Sequence, residues 1–303
     1  MKRRHFITSS LAGSLAVPAL AAETSQTKGP LTFGLITDAQ YTDAEPQGER
    51  HYRTTPEKLK AAVADIASRK LPFTFHLGDF IDRDFKSFAA LLPLLEPLGH
   101  PVYHLLGNHD YSLTDAEKSR VVQTLGMPHD YYSFRSDKIR FLVLDTNGRS
   151  LYKYPADSKA AKASEAVYQA SKAAGEPGAQ PWNGGVDNAQ LDWLERELGG
   201  ATAAGETVLI CAHHPILPAD SHQLWDHKPL LDLLVKHRCV KAWLNGHQHD
   251  GGYAVHEGIH FITFRSILQK PGVNAWAIVT VHPDRLVIEG KGREVSRDLA
   301  FRA

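Results

Sequence analysis

The chain has 303 residues, enough for one large domain or two small ones around a sizeable core. Its 34 Lys plus Arg balance 34 Asp plus Glu. A formal net charge of zero argues against a nucleic-acid binder, which shows a basic excess or stripe.

Residues 1–21 read as an export signal. Arg3-Arg4 opens it, an apolar stretch with serines runs from Ile7 to Val17, and Ala19-Leu20-Ala21 offers small residues for cleavage. The Arg-Arg-x-Phe order resembles the twin-arginine type. The mature protein is then expected to be periplasmic. No stable membrane insertion is expected after cleavage, because the apolar run is short and broken by Pro18. Residues 22–30 form a polar linker, and 31–303 a single domain.

Leu31 to Thr37 reads as a first buried strand ending at Asp38-Ala39-Gln40-Tyr41, followed by an amphipathic helix over Glu57–Arg69. A second strand, Phe73 to Leu77, ends at Gly78-Asp79-Phe80-Ile81-Asp82-Arg83. A helix over Lys86–Glu96 leads to a third, Val102 to Leu106, which stops at Gly107-Asn108-His109-Asp110. This β–α–β–α–β start signals a mainly parallel sheet. Tyr131–Phe134 and Ile139–Asp145 form a hairpin. Residues 149–181, rich in Ala, Lys, Ser and Gly, read as an insertion over the site's rim, closed by Trp182-Asn183-Gly184-Gly185. Asp187 caps a helix to Leu198. The strand Thr207–Ala212 ends in His213-His214-Pro215. A helix over Pro229–His237 precedes the strand Val240–Leu244, which ends at Asn245-Gly246-His247-Gln248-His249. The tail from Tyr253 to Ile288 reads as antiparallel sheet. Cys211 and Cys239, at opposite ends of neighbouring parallel strands, are expected to stay unpaired and buried.

Five predicted strands thus end in metal-competent groups: Asp38 with Gln40, Asp79, Asn108, His213, and His247 with His249. Parallel strands bring their C-terminal ends to one edge, so these distant groups converge there. Hard cations suit carboxylate and amide oxygens, and histidine binds metal or moves protons near neutral pH.

The ordered set Asp-x-Gln, Gly-Asp-x-x-Asp, Gly-Asn-His-Asp, a histidine after a strand and Gly-His-x-His resembles the calcineurin-like metallophosphoesterases. One position departs, since Gln40 stands where most members carry histidine. The subset resembling manganese-dependent ADP-ribose/CDP-alcohol diphosphatases has an Asp-x-Gln-Tyr first motif. It also has counterparts of Tyr52-Arg53, of Asn183-Gly184 before Gln190-Leu191, and of residues 246–253.

The resemblance implies a four-layer α/β/β/α sandwich of two mixed sheets flanked by helices. It implies two divalent cations, Mn²⁺ or Fe first and Zn²⁺ or Mg²⁺ as alternatives, ~3.5–4 Å apart across a shared carboxylate. Asp38, Asp79 and His249 would hold one, with Gln40 a candidate. Asp79, Asn108, His213 and His247 would hold the other. His109 would act on the leaving oxygen and Asp82 would orient its ring. Asp82 also reads as a helix cap, Asp110 as the cap of the next turn, and Arg83 as a phosphate contact or a solvated side chain. His214, Asp220, His222 and His227 read as non-ligands. Tyr41, Trp182 and Tyr253 read as packing residues or as stacking surfaces for a base. The expected substrates are small phosphate esters or nucleoside-diphosphate compounds; phosphomonoesters, glycerophosphodiesters and a non-catalytic metal module remain open.

Overall fold

The computed structural model describes residues 29–302. The segment expected to be an export signal, residues 1–21, and residues 22–28 lie outside the described residues. Twelve strands and seven helices follow in order. They are β1 (Leu31–Ile36), α1 (Thr55–Ser68), β2 (Thr74–Leu77), α2 (Ser87–Leu91), β3 (Val102–Leu105), the one-turn helices α3 (Asp115–Lys118) and α4 (Val121–Thr124), β4 (Tyr132–Ser136), β5 (Ile139–Val143), α5 (Lys159–Ala173), α6 (Asn188–Ala204), β6 (Thr207–Cys211), α7 (His227–Lys236), β7 (Val240–Asn245), β8 (Gly252–His256), β9 (Ile259–Thr263), β10 (Ala275–Val281), β11 (Arg285–Gly292) and β12 (Arg297–Ala300).

The strands form two six-stranded sheets, ordered β12-β11-β10-β1-β2-β3 and β4-β5-β6-β7-β9-β8. The pairs β1–β2, β2–β3, β5–β6, β6–β7 and β7–β9 are parallel. Their apolar residues pack face to face. Phe33, Phe75 and Leu77 of the first sheet meet Phe141, Leu209 and Leu244 of the second in one buried cluster. Phe33 and Phe141 touch edge to face, with ring centroids 5.5 Å apart. Each such fully buried side chain contributes about 1.5–3 kcal/mol. The outer faces are covered by helices. α1 presents Leu59, Ala62, Val63 and Ile66 to the first sheet at helical spacing. α6 and α7 lay Leu194, Leu198, Leu230 and Leu234 on the second. The layering is therefore α/β/β/α, with mixed sheets.

Three local expectations are corrected. The helix expected over Lys86–Glu96 is α-helical through Leu91, then continues as a 3₁₀ segment over Leu92–Leu98. Pro93 and Pro97 lack the N–H groups an α-helix needs there. The tail is not simply antiparallel. β9 runs parallel to β7 in the second sheet, while β10 crosses to pair antiparallel with β1 in the first. Cys239 is only partly buried, though both thiols are free. The 149–181 segment carries α5, whose N-cap Ser158 accepts from the N–H of Ala161, and Asp187 caps α6 by accepting from Gln190.

On the helix-facing side of the first sheet, His76 and His104 are paired across β2 and β3 and fully buried against Phe80. Both nitrogens of His76 and Nδ1 of His104 lack a hydrogen-bond partner. Burial lowers His104 from its ordinary value to about 4 and, with His104 beside it, holds His76 well below its ordinary value. The unfolded chain therefore binds more protons between about pH 6.5 and 4, so stability falls as pH falls through that window. His104→Leu is expected to flatten the fall in urea midpoint between pH 7 and 5, measured with chelator present. An unchanged slope would contradict the assignment.

Candidate metal centre

The C-terminal ends of β1, β2 and β3 in one sheet meet those of β6 and β7 in the other. The cleft between them gathers Asp38, Gln40, Asp79, Asn108, His213, His247 and His249. Donor atoms of Asp79, His213 and His247 lie within 4.8 Å of one another. Asp79 Oδ2 is 3.2 Å from His213 Nε2 and accepts a 2.7 Å hydrogen bond from Gln40 Nε2. His249 Nε2 lies 3.6 Å from Asp38 Oδ1 and 3.1 Å from Gln40 Nε2. Asp38, Asp79 and His213 are fully buried.

The local backbone explains how strand ends deliver these groups. Asp38, Gln40, Asp79 and His247 all adopt positive φ, from +40° to +71°. That region turns the chain sharply and is costly for residues other than glycine. The neighbouring glycines make room. A Cβ at Gly107 would collide with the Asp79 carboxylate, and one at Gly246 with Thr37 and Asp38.

The electrostatics fit cations. Burial raises Asp38 to about 6 against the pull of His213. Burial pushes Asp79 the same way, but His213 and His109 overcome it and hold Asp79 well below the usual carboxylate range. Burial disfavours a charged His213, yet Asp79 and Asp38 lift it to about 9. Burial, with Arg50 adding to it, lowers His249 to about 3, leaving it neutral. Two buried amide oxygens among these residues have no hydrogen-bond partner, Asn108 Oδ1 and Gln40 Oε1, and His213 Nε2 meets only the Asp79 carboxylate. A buried polar atom without a partner is expensive. Asp79, His213 and His247 can each offer a donor atom within 4.8 Å of the others, and with unpartnered amide oxygens beside them the residues present fit a cation, whose charge would displace the proton from His213.

Supporting contacts fix the donors. His213 Nδ1 donates to the Leu77 carbonyl at 2.8 Å, which aims Nε2 at Asp79. The amide of Gln269 lies 3.2 Å from His249 Nδ1, and Ser266 Oγ donates to the Asp38 carbonyl. Lys58 of α1 holds that segment by donating to the carbonyls of Ile267, Leu268, Gln269 and Lys270.

The alternatives for the acidic residues separate. Asp82 Oδ1 is 2.9 Å from His109 Nδ1, and the amide of Lys86 is taken by Asp84 instead. Asp110 does more than cap a turn. Its buried carboxylate accepts from the N–H groups of Gly107, Asp79, Phe80 and Ile81, clamping two strand ends together. Arg83 donates to Asp82 Oδ2 and to the Tyr52 hydroxyl. His214 is buried with Nδ1 2.7 Å from Thr146 Oγ1. Trp182 and Tyr253 are exposed large rings, and Tyr253 lies parallel to His260 rather than over the cleft.

Two residues were not singled out as site residues from sequence. Arg50, in the polar loop before α1, places Nη1 3.4 Å from His109 Nε2. Asn183, named as part of the segment closing the insertion and of a stretch shared with the diphosphatase subset but given no role, places Oδ1 2.7 Å from His247 Nε2. No periodicity or spacing marks Arg50; its approach is tertiary.

Two packed mixed sheets with a carboxylate–histidine cleft at their joined strand ends define a metal-dependent hydrolase of phosphate esters or anhydrides. The family model described as calcineurin-like phosphoesterase matches residues 31–251, and the chain belongs to that family. It is 30% identical to the manganese-dependent ADP-ribose/CDP-alcohol diphosphatase of Oryza sativa subsp. japonica, over 89% of this chain and 94% of that one. It is 28% identical to the Bos taurus protein of the same name, over 94% and 98%. The crystal structure of a dimetal phosphatase from Danio rerio superposes with a TM-score of 0.81 at 25% identity, covering 90% of this chain and all of that one.

Proposed function

We propose that the chain hydrolyses the phosphoanhydride of nucleoside-diphosphate compounds of the ADP-ribose or CDP-alcohol kind, with manganese as its cation. The observation that carries the substrate class is similarity over nearly the full length to relatives bearing that name. One cation would be held by Asp38, Asp79 and His249, with Gln40 a candidate whose amide would have to turn its oxygen inward, because Nε2 faces Asp79 and His249 here; the other would be held by Asp79, Asn108, His213 and His247. Gln40 supplies an amide where an imidazole would favour softer ions, which suits Mn²⁺ over Zn²⁺.

When bound, such a pair supplies Lewis-acid stabilisation of the phosphoryl group and activation of water. The chain's own residues do the rest. Arg50 Nη1 lies 3.4 Å from His109 Nε2, close enough for both to donate to one phosphate oxygen of a bound substrate. Asp82 accepts from His109 Nδ1 and so leaves Nε2 as the atom that passes a proton to the leaving oxygen. Arg83 in turn fixes Asp82.

Residues 22–303, stripped with chelator and reloaded with Mn²⁺, Fe²⁺, Zn²⁺ or Mg²⁺, should turn over ADP-ribose and CDP-choline fastest, and fastest with Mn²⁺. The comparison substrates are p-nitrophenyl phosphate, its bis-ester and glycerophosphocholine. A lead for the monoester or a diester would discard the substrate class while keeping the family chemistry.

A further inference from the structure

Asn183 is buried, and its polar atoms are all engaged. Its Nδ2 donates to two backbone carbonyls, of Gly178 and of Ser221, each at 2.8 Å. A carbonyl can only accept, so the NH₂ end must face these two and the amide oxygen must face His247. That oxygen lies 2.7 Å from His247 Nε2. It too can only accept, so Nε2 carries the hydrogen and Nδ1 keeps its lone pair.

The two carbonyls belong to different segments. Gly178 lies in the stretch after α5, and Ser221 in the loop before α7. These segments are further stitched by Trp225, whose amide donates to the Gly184 carbonyl at 2.8 Å and whose Nε1 donates to Gln180 at 3.0 Å.

We propose that Asn183 is a positioning residue. It fixes the tautomer and ring orientation of His247 so that Nδ1 is the donor atom, and it ties the order of both rim segments to occupancy of the cation site His247 serves. The proposal rests on the reading of His247 as a ligand. Removing a partner of this kind costs about 10–100-fold in metal affinity. Mn²⁺ should therefore protect the rim segments through Asn183, while the acceptor on His247, rather than rim order, carries most of the affinity.

The test is Mn²⁺ titration by calorimetry and electron paramagnetic resonance on the full mature chain, beside limited proteolysis with and without Mn²⁺. Wild type should bind two ions, and His213→Ala should lose one; binding of fewer than two by wild type overturns the metal reading itself. Asn183→Leu removes the acceptor and should weaken one ion about 10–100-fold, leave the other unchanged, and lose Mn²⁺ protection of 174–185 and 216–226. Asn183→Asp keeps an acceptor for His247 but loses the donors. It should hold both ions within about threefold of wild type, while its rim segments are cut faster. If Asn183→Leu fails to fold, Asn183→Asp decides alone, because Mn²⁺ affinity falling as far as rim order would assign Asn183 to loop packing only. Wild-type affinity in Asn183→Leu, with its chelated melting temperature unchanged, would overturn the proposal.

Discussion

Asp79→Ala should lower kcat/KM by on the order of 10⁴-fold or more, with no Mn²⁺-induced rise in melting temperature. Loss of one preorganised electrostatic partner costs about 10²–10³-fold, and Asp79 would serve both cation positions. Its Oδ1 accepts from the His109 amide at 2.8 Å and its Oδ2 from Gln40 at 2.7 Å. Losing it also leaves a buried N–H unpaired, which costs about 1–3 kcal/mol. The loss is offset in part, because Asp79 raises the proton affinity of its buried neighbours Asp38 and Asp110, and removing its charge relieves both. That relief is outweighed by His213 and His109, which lose the carboxylate that favours their charged forms, so the chelated variant should melt below chelated wild type. Wild type gains about 2.7 kcal/mol with the ion at a hundredfold its Kd, and the variant gains little. Melting with and without Mn²⁺, beside turnover of ADP-ribose, checks both halves. Activity within tenfold of wild type would remove Asp79 from the centre of the site.

His109→Ala should lower kcat by ~10²–10⁴-fold while Mn²⁺ stoichiometry stays at the wild-type value. The separation follows from which atoms do what. The backbone N–H of His109 holds Asp79, and alanine keeps it. The ring is spent on Asp82 and faces Arg50. If the ring serves the leaving oxygen, its loss matters most when that oxygen is basic. The deficit should then shrink several-fold for p-nitrophenyl esters, whose leaving group departs without a proton. Asp82→Asn should give a smaller deficit of about 10–100-fold, because the ring remains but is poorly oriented. Equal deficits for activated and unactivated substrates would move His109 from proton transfer to charge stabilisation alone.

The strand-end turns were legible in sequence because their information is local. A buried apolar run, a glycine and a polar cluster lie within a few residues, and parallel topology does the gathering. Gly107 and Gly246 announce themselves this way, and so do Asp79, Asn108 and His247. The break of the second helix was equally local, in Pro93 and Pro97, and belonged in the prediction. The placement of β9 beside β7 was not legible. A short strand such as Ile259–Thr263 carries no mark of whether its neighbour runs with or against it. Arg50 was hidden for a related reason, and so was the contact made by Asn183, which was visible only as part of a shared motif. Each reaches its histidine from a loop, across 59 and 64 residues of sequence, and nothing in a loop's composition encodes where it folds back. Asp110 was visible as a residue but misjudged in scope. Its four amide partners span two strand ends, and only the packed sheet brings them around one carboxylate.

The left-handed backbone at Asp38, Gln40, Asp79 and His247 also bears on how this chain can be made hardier. Each such residue costs the folded state about 1–3 kcal/mol, and glycine is the substitution that relieves it. Glycine has no donor atom. On the ligand assignment proposed above, comfort for the main chain and a donor for a cation exclude one another at these places. Glycine placed there to ease the main chain would return inert proteins, and at Asp38 and Asp79 it would also strip acceptors from buried N–H and O–H groups. Durable variants have to be sought among the outer helices and the sheet margins, with the strained turns left as they are.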